Sequence, residues 1–488
     1  MEKRCQIFTP KDIVIDMLDM AGFSRNLWGK RFLENSCGRG NFLIHAIDRY
    51  IKSALHMGKS TIEIKNRLQS DFVGYEIDPI YCSECKTNLN KKAEEFGIIG
   101  INWDIRNEDF LLNSSSTLYD FIIGNPPYIS YKSLSKDKRK KLKSLFDSCK
   151  IGKPDYCYAF IEHSLKSLSE DGMFVYLVPI SIFKNVHAVA LRNILKPFIS
   201  QIIDYNICKL FKGIGTSSAV IICSKSKSSD YIKYEDRGKL PQKIRYISKS
   251  SLGNKWIFDE IRVLKENTIK FGDLYSASIA IATLLNRAFV VKHSRESGDF
   301  IITSGGTLIE KSALMSAASP RSLRYNHEEH IIFPYYYNSD GKLMRYSEEE
   351  FEGKFSYTFA YLYTYKADLV KRDSDVGAKW FEYGRSQSLA YIYNPKILIS
   401  TIVTNKVETY KLKDAVVPYA GIYIRSKNDS YSIDVAEEIL RSADFYSYVE
   451  KIGIYASGNS IRITPSDVGN YDIPRSILES IACGTNND

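Results

Sequence analysis

The sequence predicts an α/β chain: an N-terminal half built on an open, mostly parallel sheet, and a C-terminal half of mixed α+β texture. Three observations carry this. Short apolar runs at residues 31–35, 71–76 and 120–124 pass into S-C-G-R-G, I-D-P and N-P-P, as buried parallel strands do where they enter loops. Segments of helical periodicity separate these runs, which is the alternation of βαβ units. Beyond about Ile269 the alternation fades, and tyrosine and β-branched residues take over.

At 488 residues the chain is too long for one core. The polar stretch S-K-S-K-S-S-D at 224–230 marks a boundary. We expect a site-bearing domain over 1–230, a connecting segment over 231–265 and a second domain over 266–488. The composition, 44% hydrophobic and 25% charged, is that of a globular protein. No apolar run approaches the ~20 residues of a membrane span, and Met1-Glu-Lys-Arg is not a hydrophobic signal, so no membrane association and a cytoplasmic location are expected. The nine cysteines are scattered, as in a reducing compartment. Cys82 and Cys85 form a C-x-x-C without a second pair or a nearby histidine; they read as helix thiols, and no metal is expected. The net charge of +10 suits a nucleic-acid partner.

The first element is a helix after F-T-P, with Thr9 as its N-cap and Pro10 in its first turn; Ile13, Val14, Met17 and Leu18 fall on one face. The strand at 31–35 enters S-C-G-R-G-N, where Gly38 and Gly40 let backbone approach a ligand and Glu34 stands beside them. A dinucleotide fingerprint is excluded by the missing third glycine. Residues 45–70 read as a basic helical excursion. The strand at 71–76 ends on Glu76, placed to accept from both hydroxyls of a ribose. A weaker strand at 98–103 leads to N-E-D-F-L, where Asp109 can accept from an adenine amine and Phe110 can pack on the ring.

The stretch D-F-I-I-G-N-P-P-Y-I-S-Y at 120–131 organises the rest. Its strand runs into a loop that cannot be helical, because Pro126 and Pro127 remove two donors and Asn125 precedes proline. The Asn125 side-chain oxygen and the Pro126 carbonyl are fixed acceptors that suit a planar amine with two N–H bonds, such as the 6-amino group of adenine. Tyr128 offers a ring for stacking. The following run at 132–150, rich in lysine and including Lys138 and Arg139, reads either as a solvated helix face or as a phosphate contact. Next come a helix at 161–168, a strand at 173–178 closed by Pro179, a helix at 185–197 and strands at 199–206 and 218–223. Between the last two, Phe211 is a second stacking surface. In the C-terminal half, R-S-L-R-Y (321–325), F-P-Y-Y-Y (333–337) and K-W-F-E-Y-G-R-S-Q (379–387) mix cations, amides and tyrosines, the side chains that read bases and phosphates; aromatic core is the duller account. Arg321, Arg324, Arg385 and Gln387 are the expected contacts.

Taken together, these motifs resemble the gamma-class N6-adenine DNA methyltransferases, the TaqI-like group, over most of residues 6–223. F-T-P is similar to that family's N-terminal cofactor motif, E-N-S-C-G-R-G-N-F-L to its glycine motif, G-Y-E-I-D-P to its ribose motif, N-E-D-F-L to its adenine-contact motif and N-P-P-Y to its catalytic motif. The segment G-K-P-D-Y-C-Y-A-F resembles the one that packs a phenylalanine, here Phe160, on the cofactor. L-F-K-G-I-G-T-S-S-A-V resembles the motif whose phenylalanine, here Phe211, stacks on the flipped base. One departure stands out: the glycine motif usually carries D-P-A or E-P-A, and here Asn35 replaces the proline.

The resemblance implies a seven-stranded, Rossmann-like sheet that binds S-adenosylmethionine through Thr9, Glu34, Cys37, Gly38, Gly40, Glu76, Asp109, Phe110 and Phe160. It implies a C-terminal target-recognition domain and methylation of an adenine flipped out of double-stranded DNA between Tyr128 and Phe211, in a restriction-modification system. A restriction endonuclease partner would be a separate chain, since no nuclease constellation is evident. Two other readings stay open: an N-P-P-Y methyltransferase acting on RNA or a protein glutamine, and a non-catalytic DNA-specificity subunit.

Overall fold

The computed structural model describes residues 9–112, 116–205, 217–226, 229–237, 243–259, 268–291, 293–427, 431–457, 459–475 and 478. The chain divides into two compact units, Met1–Glu260 and Ile261–Asp488.

The first unit is built on one mixed sheet. Its strands are β1 (Phe32–Glu34), β2 (Phe72–Tyr75), β3 (Asp104–Arg106), β4 (Tyr119–Gly124), β5 (Leu168–Pro179), β6 (Ile199–Asp204), β7 (Ser218–Ser224), β8 (Tyr231–Asp236) and β9 (Lys243–Ser248). Their order is β3-β2-β1-β4-β5-β7-β6-β8-β9. Strands β1 to β5 are parallel where they pair, and β7 is antiparallel to both neighbours. The intervening helices are α1 (Lys11–Met20), α2 (Asn41–His56), α3 (Thr61–Asp71), α4 (Pro79–Glu94), α5 (Lys136–Leu145), α6 (Tyr156–Lys166) and α7 (Val189–Leu195).

Strand alternation divides the core between the two faces of this sheet. Phe32, Phe72, Ile123, Val175 and Leu177 face one cluster, with the buried sides of α1, α2 and α4. Their neighbours Leu33, Val73, Ile122, Phe174 and Tyr176 face the other, with α6 and α7. Both faces are covered, so the strands read as continuous apolar runs rather than as alternating ones.

Four expectations need correction. Among the described residues the sheet has nine strands where seven were expected, because β8 pairs in parallel with β6, and β9 with β8. Residues 231–248 therefore belong to the first unit and do not form a free connection: Ile232 is buried under the sheet, and Tyr234 donates to Asp204 at 2.5 Å. The third strand is Asp104–Arg106 and not 98–103, since Val73 and Tyr75 pair with Asp104 and Arg106. The apolar residues that suggested the earlier run, Ile98, Ile101 and Trp103, are buried in the core without joining the ladder. Thr9 does not cap α1: Pro10 occupies the N-cap position and no side chain closes it.

The second unit carries several small sheets. One has Tyr275–Ile279, Ile422–Ser426, Lys396–Ile399 and Thr409–Leu412 in antiparallel order. Another holds Val290–Val291, Glu329–Ile332, Leu314–Ala318 and Val417–Pro418. Its core is aromatic. Phe351 and Phe381 stack at 5.0 Å, and Tyr335 and Tyr383 are buried.

Candidate active site

The order of strands reverses between β1 and β4, and ligands of open α/β sheets bind at such a switch point, beyond the carboxyl ends of the strands. A pocket opens there. It brings together Thr9, Glu34, Cys37, Gly38, Glu76, Asp109, Phe110, Asn125, Pro126, Pro127, Tyr128 and Phe160, with Asn35, Ser36, Asn41 and Tyr156 beside them.

The turn after β1 is shaped by two left-handed glycines, Gly38 at φ +50° and Gly40 at φ +86°. A Cβ on Gly40 would lie 2.8 Å from the Cys85 Sγ of α4, so the turn sits directly on that helix. Gly40 therefore shapes the site from behind, and it is the one expected cofactor residue that does not line the pocket. The Gly38 N–H donates to Glu76 Oε2 at 2.9 Å, and the Asp78 N–H donates to Oε1 at 2.8 Å. Burial pushes the Glu76 carboxyl above its ordinary value, and these amides oppose that shift. Each oxygen keeps a lone pair for further donors.

Glu34 is only 3% exposed and accepts from the Leu43 N–H at 3.2 Å. Burial, followed by the neighbouring Cys85, holds its carboxyl well above the carboxylate range. Asn35, in the place of the proline, is buried as well. It donates to Ser164 Oγ of α6 at 2.7 Å and accepts from the Tyr176 hydroxyl of β5. Its amide thus ties three elements beneath the pocket. Cys37 is buried, and its hydrogen bond with Cys85, followed by burial, holds its thiol well above the ordinary value. Cys82 and Cys85 are buried thiols of α4, as expected of helix cysteines.

On the other wall, Asp109 accepts from the Leu111 N–H at 3.0 Å and from the Tyr156 hydroxyl at 3.2 Å. Phe110 and Phe160 lie 5.8 Å apart between centroids and form an apolar surface. Tyr156 was not singled out in the sequence; the signal was its place in P-D-Y, at the start of α6. There Asp155 accepts from the Cys157 N–H at 3.1 Å, and the Tyr156 N–H donates to the Ile129 carbonyl at 3.0 Å. Helix α6 is thereby fastened to the N-P-P-Y loop.

Within that loop, the Ser36 hydroxyl donates to the Asn125 carbonyl at 2.9 Å, and the Asn125 Nδ2 donates to Thr9 Oγ1 at 3.3 Å. The Tyr128 hydroxyl donates to the Leu177 carbonyl at 2.8 Å, which sets the ring against the sheet. Phe211 lies outside the described residues.

Helix α5 follows the loop. It carries five lysines and one arginine and buries only Leu142. Arg139 stacks over Tyr131 at 4.7 Å and donates to the Lys132 carbonyl at 2.8 Å. In the second unit, Gln387 donates to Asp375 at 2.6 Å, and Arg385 approaches the same carboxylate at 4.0 Å. Arg321 and Arg324 border a groove in which Arg324 pairs with Glu408 at 2.9 Å. The aromatic parts of the basic clusters are mostly core: Phe333, Tyr335, Phe381 and Tyr383 are buried, and Glu382 is fully buried against Arg345. Arg321, Arg385 and Gln387 remain exposed beside them. Among the described residues no His, Cys, Asp and Glu cluster would hold a metal, and no helix is long and apolar enough to cross a membrane.

Residues 24–211 match the Eco57I restriction-modification methylase family. The type II methyltransferase M.BstVI of Geobacillus stearothermophilus is 29% identical over 239 residues, covering 45% of this chain and 42% of that protein. The type II restriction enzyme and methyltransferase RM.Eco57I of Escherichia coli is 23% identical over 546 residues, covering 91% of this chain and 54% of that protein. The chain therefore spans about half the length of these curated relatives. Among solved structures, the type IIL restriction-modification enzyme MmeI in complex with DNA superimposes with a TM-score of 0.60 at 14% identity, over 94% of this chain and 64% of that one. At that identity the likeness is one of fold: a large mixed sheet with small antiparallel sheets.

Proposed function

We propose, on the premise that residues 24–211 are an Eco57I-type restriction-modification methylase domain, that this chain is a site-specific DNA methyltransferase acting on the 6-amino group of adenine. The observation that carries the reading is one pocket that holds both the Asn125–Pro126–Pro127–Tyr128 loop and the Gly38–Glu76 pair, at the switch point of the sheet.

The pocket residues fit S-adenosylmethionine. The left-handed glycine turn brings backbone close, the Glu76 carboxylate has lone pairs for two ribose hydroxyls, and Phe110 with Phe160 offers a surface for an adenine ring beside Asp109. When bound, that cofactor supplies an electrophilic methyl group. The chain's own residues do the rest. The Asn125 Oδ1 and the Pro126 carbonyl accept the two N–H bonds of the target amine and push electron density onto its nitrogen. Tyr128, held by Leu177, stacks on the base, which must leave the duplex to reach the pocket. Asn125 is no general base, because an amide has no useful basicity near neutrality. Catalysis is positioning and polarisation. Phe211 as the second stacking ring, α5 with Lys138 and Arg139 as a phosphate contact, and Arg321, Arg324, Arg385 and Gln387 as contacts to the recognition site complete the proposal. Membership of a restriction-modification system, with a restriction endonuclease as partner, follows from the same reading.

The test is modification-sensitive long-read sequencing of DNA from a methylation-free host expressing this chain, with Asn125→Ala as control. Methyladenine at one short motif, absent in the variant, supports the reading. Its absence from cells with folded, cofactor-binding protein overturns it.

A further inference from the structure

We infer that Asn35 is a positioning residue for the Phe160 wall of the pocket: through Ser164 it fixes the inner face of α6, and with it the affinity for S-adenosylmethionine. This deepens the function proposed above and rests on it for the identity of the cofactor.

Helix α6 turns one stripe of residues, spaced by four, toward the strand ends. Its first member, Tyr156, donates from its hydroxyl to Asp109 at 3.2 Å. Its second, Phe160, faces Phe110. Its third, Ser164, is fully buried and meets Asn35, the residue directly after β1. Tyr156 and Phe160 line the pocket, and Ser164 lies one turn farther along the helix.

The hydrogen bonds at this third contact have one consistent direction. Ser164 Oγ lies 2.6 Å from the Phe160 carbonyl oxygen, which can only accept, so the serine proton is used there. The serine oxygen must then accept from Asn35, at 2.7 Å, which makes the facing edge of the amide its Nδ2. The Oδ1 on the other edge accepts from the Tyr176 hydroxyl of β5. A chain of donors thus runs from Tyr176 through Asn35 and Ser164 to the Phe160 carbonyl, and its terminal acceptor sets the sense of every link. It joins the sheet to the turn of α6 that carries the Phe160 ring. Asn35, Ser164 and Tyr176 are each 3% exposed or less, so solvent does not replace these bonds. A proline in place of Asn35 could make none of them.

The experiment uses Asn35→Leu, which keeps the size of the side chain and removes its bonds, and Ser164→Ala, which breaks the same chain with a smaller change. The control is Tyr50→Phe. Tyr50 donates to Asp71 at 2.6 Å on the opposite face of the sheet from α6, so its loss destabilises without touching the stripe. In the full chain without cofactor, hydrogen–deuterium exchange of residues 156–164 should rise by on the order of 3- to 10-fold in both Asn35→Leu and Ser164→Ala. In Tyr50→Phe it should rise no more than in the rest of the unit. Calorimetry should show the S-adenosylmethionine dissociation constant raised by on the order of 3- to 10-fold in both variants, and within about twofold of wild type in the control. The double variant should be no worse than either single one, because both interrupt one chain. Exchange at 156–164 that stays at the wild-type level, or rises only with that of the whole unit, overturns the inference; so does an unchanged dissociation constant in both variants. Failure of the proposed function reads differently. A wild type that binds no S-adenosylmethionine removes that function, while a local rise in exchange in the cofactor-free variants still supports the hold of Asn35 on α6.

Discussion

The backbone amide of Gly38 donates to the carboxylate of Glu76 at 2.9 Å, so the turn after the first strand and the end of the second form one hydrogen-bonded rim. The same carboxylate receives the Asp78 amide, which leaves its orientation no freedom. On the function proposed above, this carboxylate is the group that accepts from the cofactor's ribose. Hydrogen bonds to a charged group contribute roughly 1.5–3 kcal/mol. Glu76→Ala is therefore expected to weaken S-adenosylmethionine binding by on the order of 10- to 100-fold. Titration calorimetry checks this, and an unchanged affinity would remove Glu76 from the cofactor site.

Gly40 should not tolerate alanine. Its φ of +86° is left-handed, and the added Cβ would lie 2.8 Å from Cys85 Sγ. The strained backbone costs roughly 1–2 kcal/mol, and the buried thiol cannot swing away without cost. Gly40→Ala is expected to lower the melting temperature and weaken cofactor binding. Adding Cys85→Ala should recover the part due to the contact and not the part due to φ. A double-mutant cycle with no coupling would show that the two residues do not press on each other.

Asp155 couples stability to pH. Burial pushes its carboxyl up to about 6, against the opposing hydrogen bonds from the amides of Cys157, Ile129 and Tyr156. The folded value lies above the unfolded one, so this group's contribution is full below about pH 4 and is lost as pH rises through about 6. The difference is on the order of 2–3 kcal/mol. Asp155→Asn keeps an oxygen for the helix cap and removes the titration. Urea melts at acid and neutral pH should show the wild type losing stability relative to the variant over that interval. A constant difference at all pH values would refute the assignment.

The basic helix after the N-P-P-Y loop should act through phosphate. Replacing Lys138 and Arg139 by alanine is expected to weaken duplex binding about equally for all sequences. It should also reduce the slope of log Kd against log salt by about one unit per lost phosphate contact. Cofactor affinity should not change. Filter binding across a salt series measures both slopes, and parallel lines for wild type and variant would make α5 a solvated face.

Much of the lining of the candidate pocket was legible in the sequence. Glycines after a strand, an acid ending the next strand and N-P-P-Y ending another are local signals, because each depends on what a strand end can expose. Asn35 was legible only as a departure from a motif. Its partners, Ser164 and Tyr176, lie more than a hundred residues away, and no spacing announces them. The aromatic clusters of the second half show the opposite failure. W-F-E-Y and F-P-Y-Y-Y read equally as binding surface and as core, and burial of Phe381, Tyr383 and Tyr335 resolves the ambiguity in favour of packing.

Local chemistry alone determined which strand ends carry the candidate site residues, since a short apolar run and proline's missing donor act within a few residues. Tertiary structure alone decided which groups meet. Thr9 leaves its helix uncapped and reaches Asn125 instead, and β8 and β9 extend a sheet whose edge the chain order does not reveal. Such pairings are settled by the packing of both faces of the sheet, a free-energy sum over residues far apart in sequence, and no local pattern contains that sum.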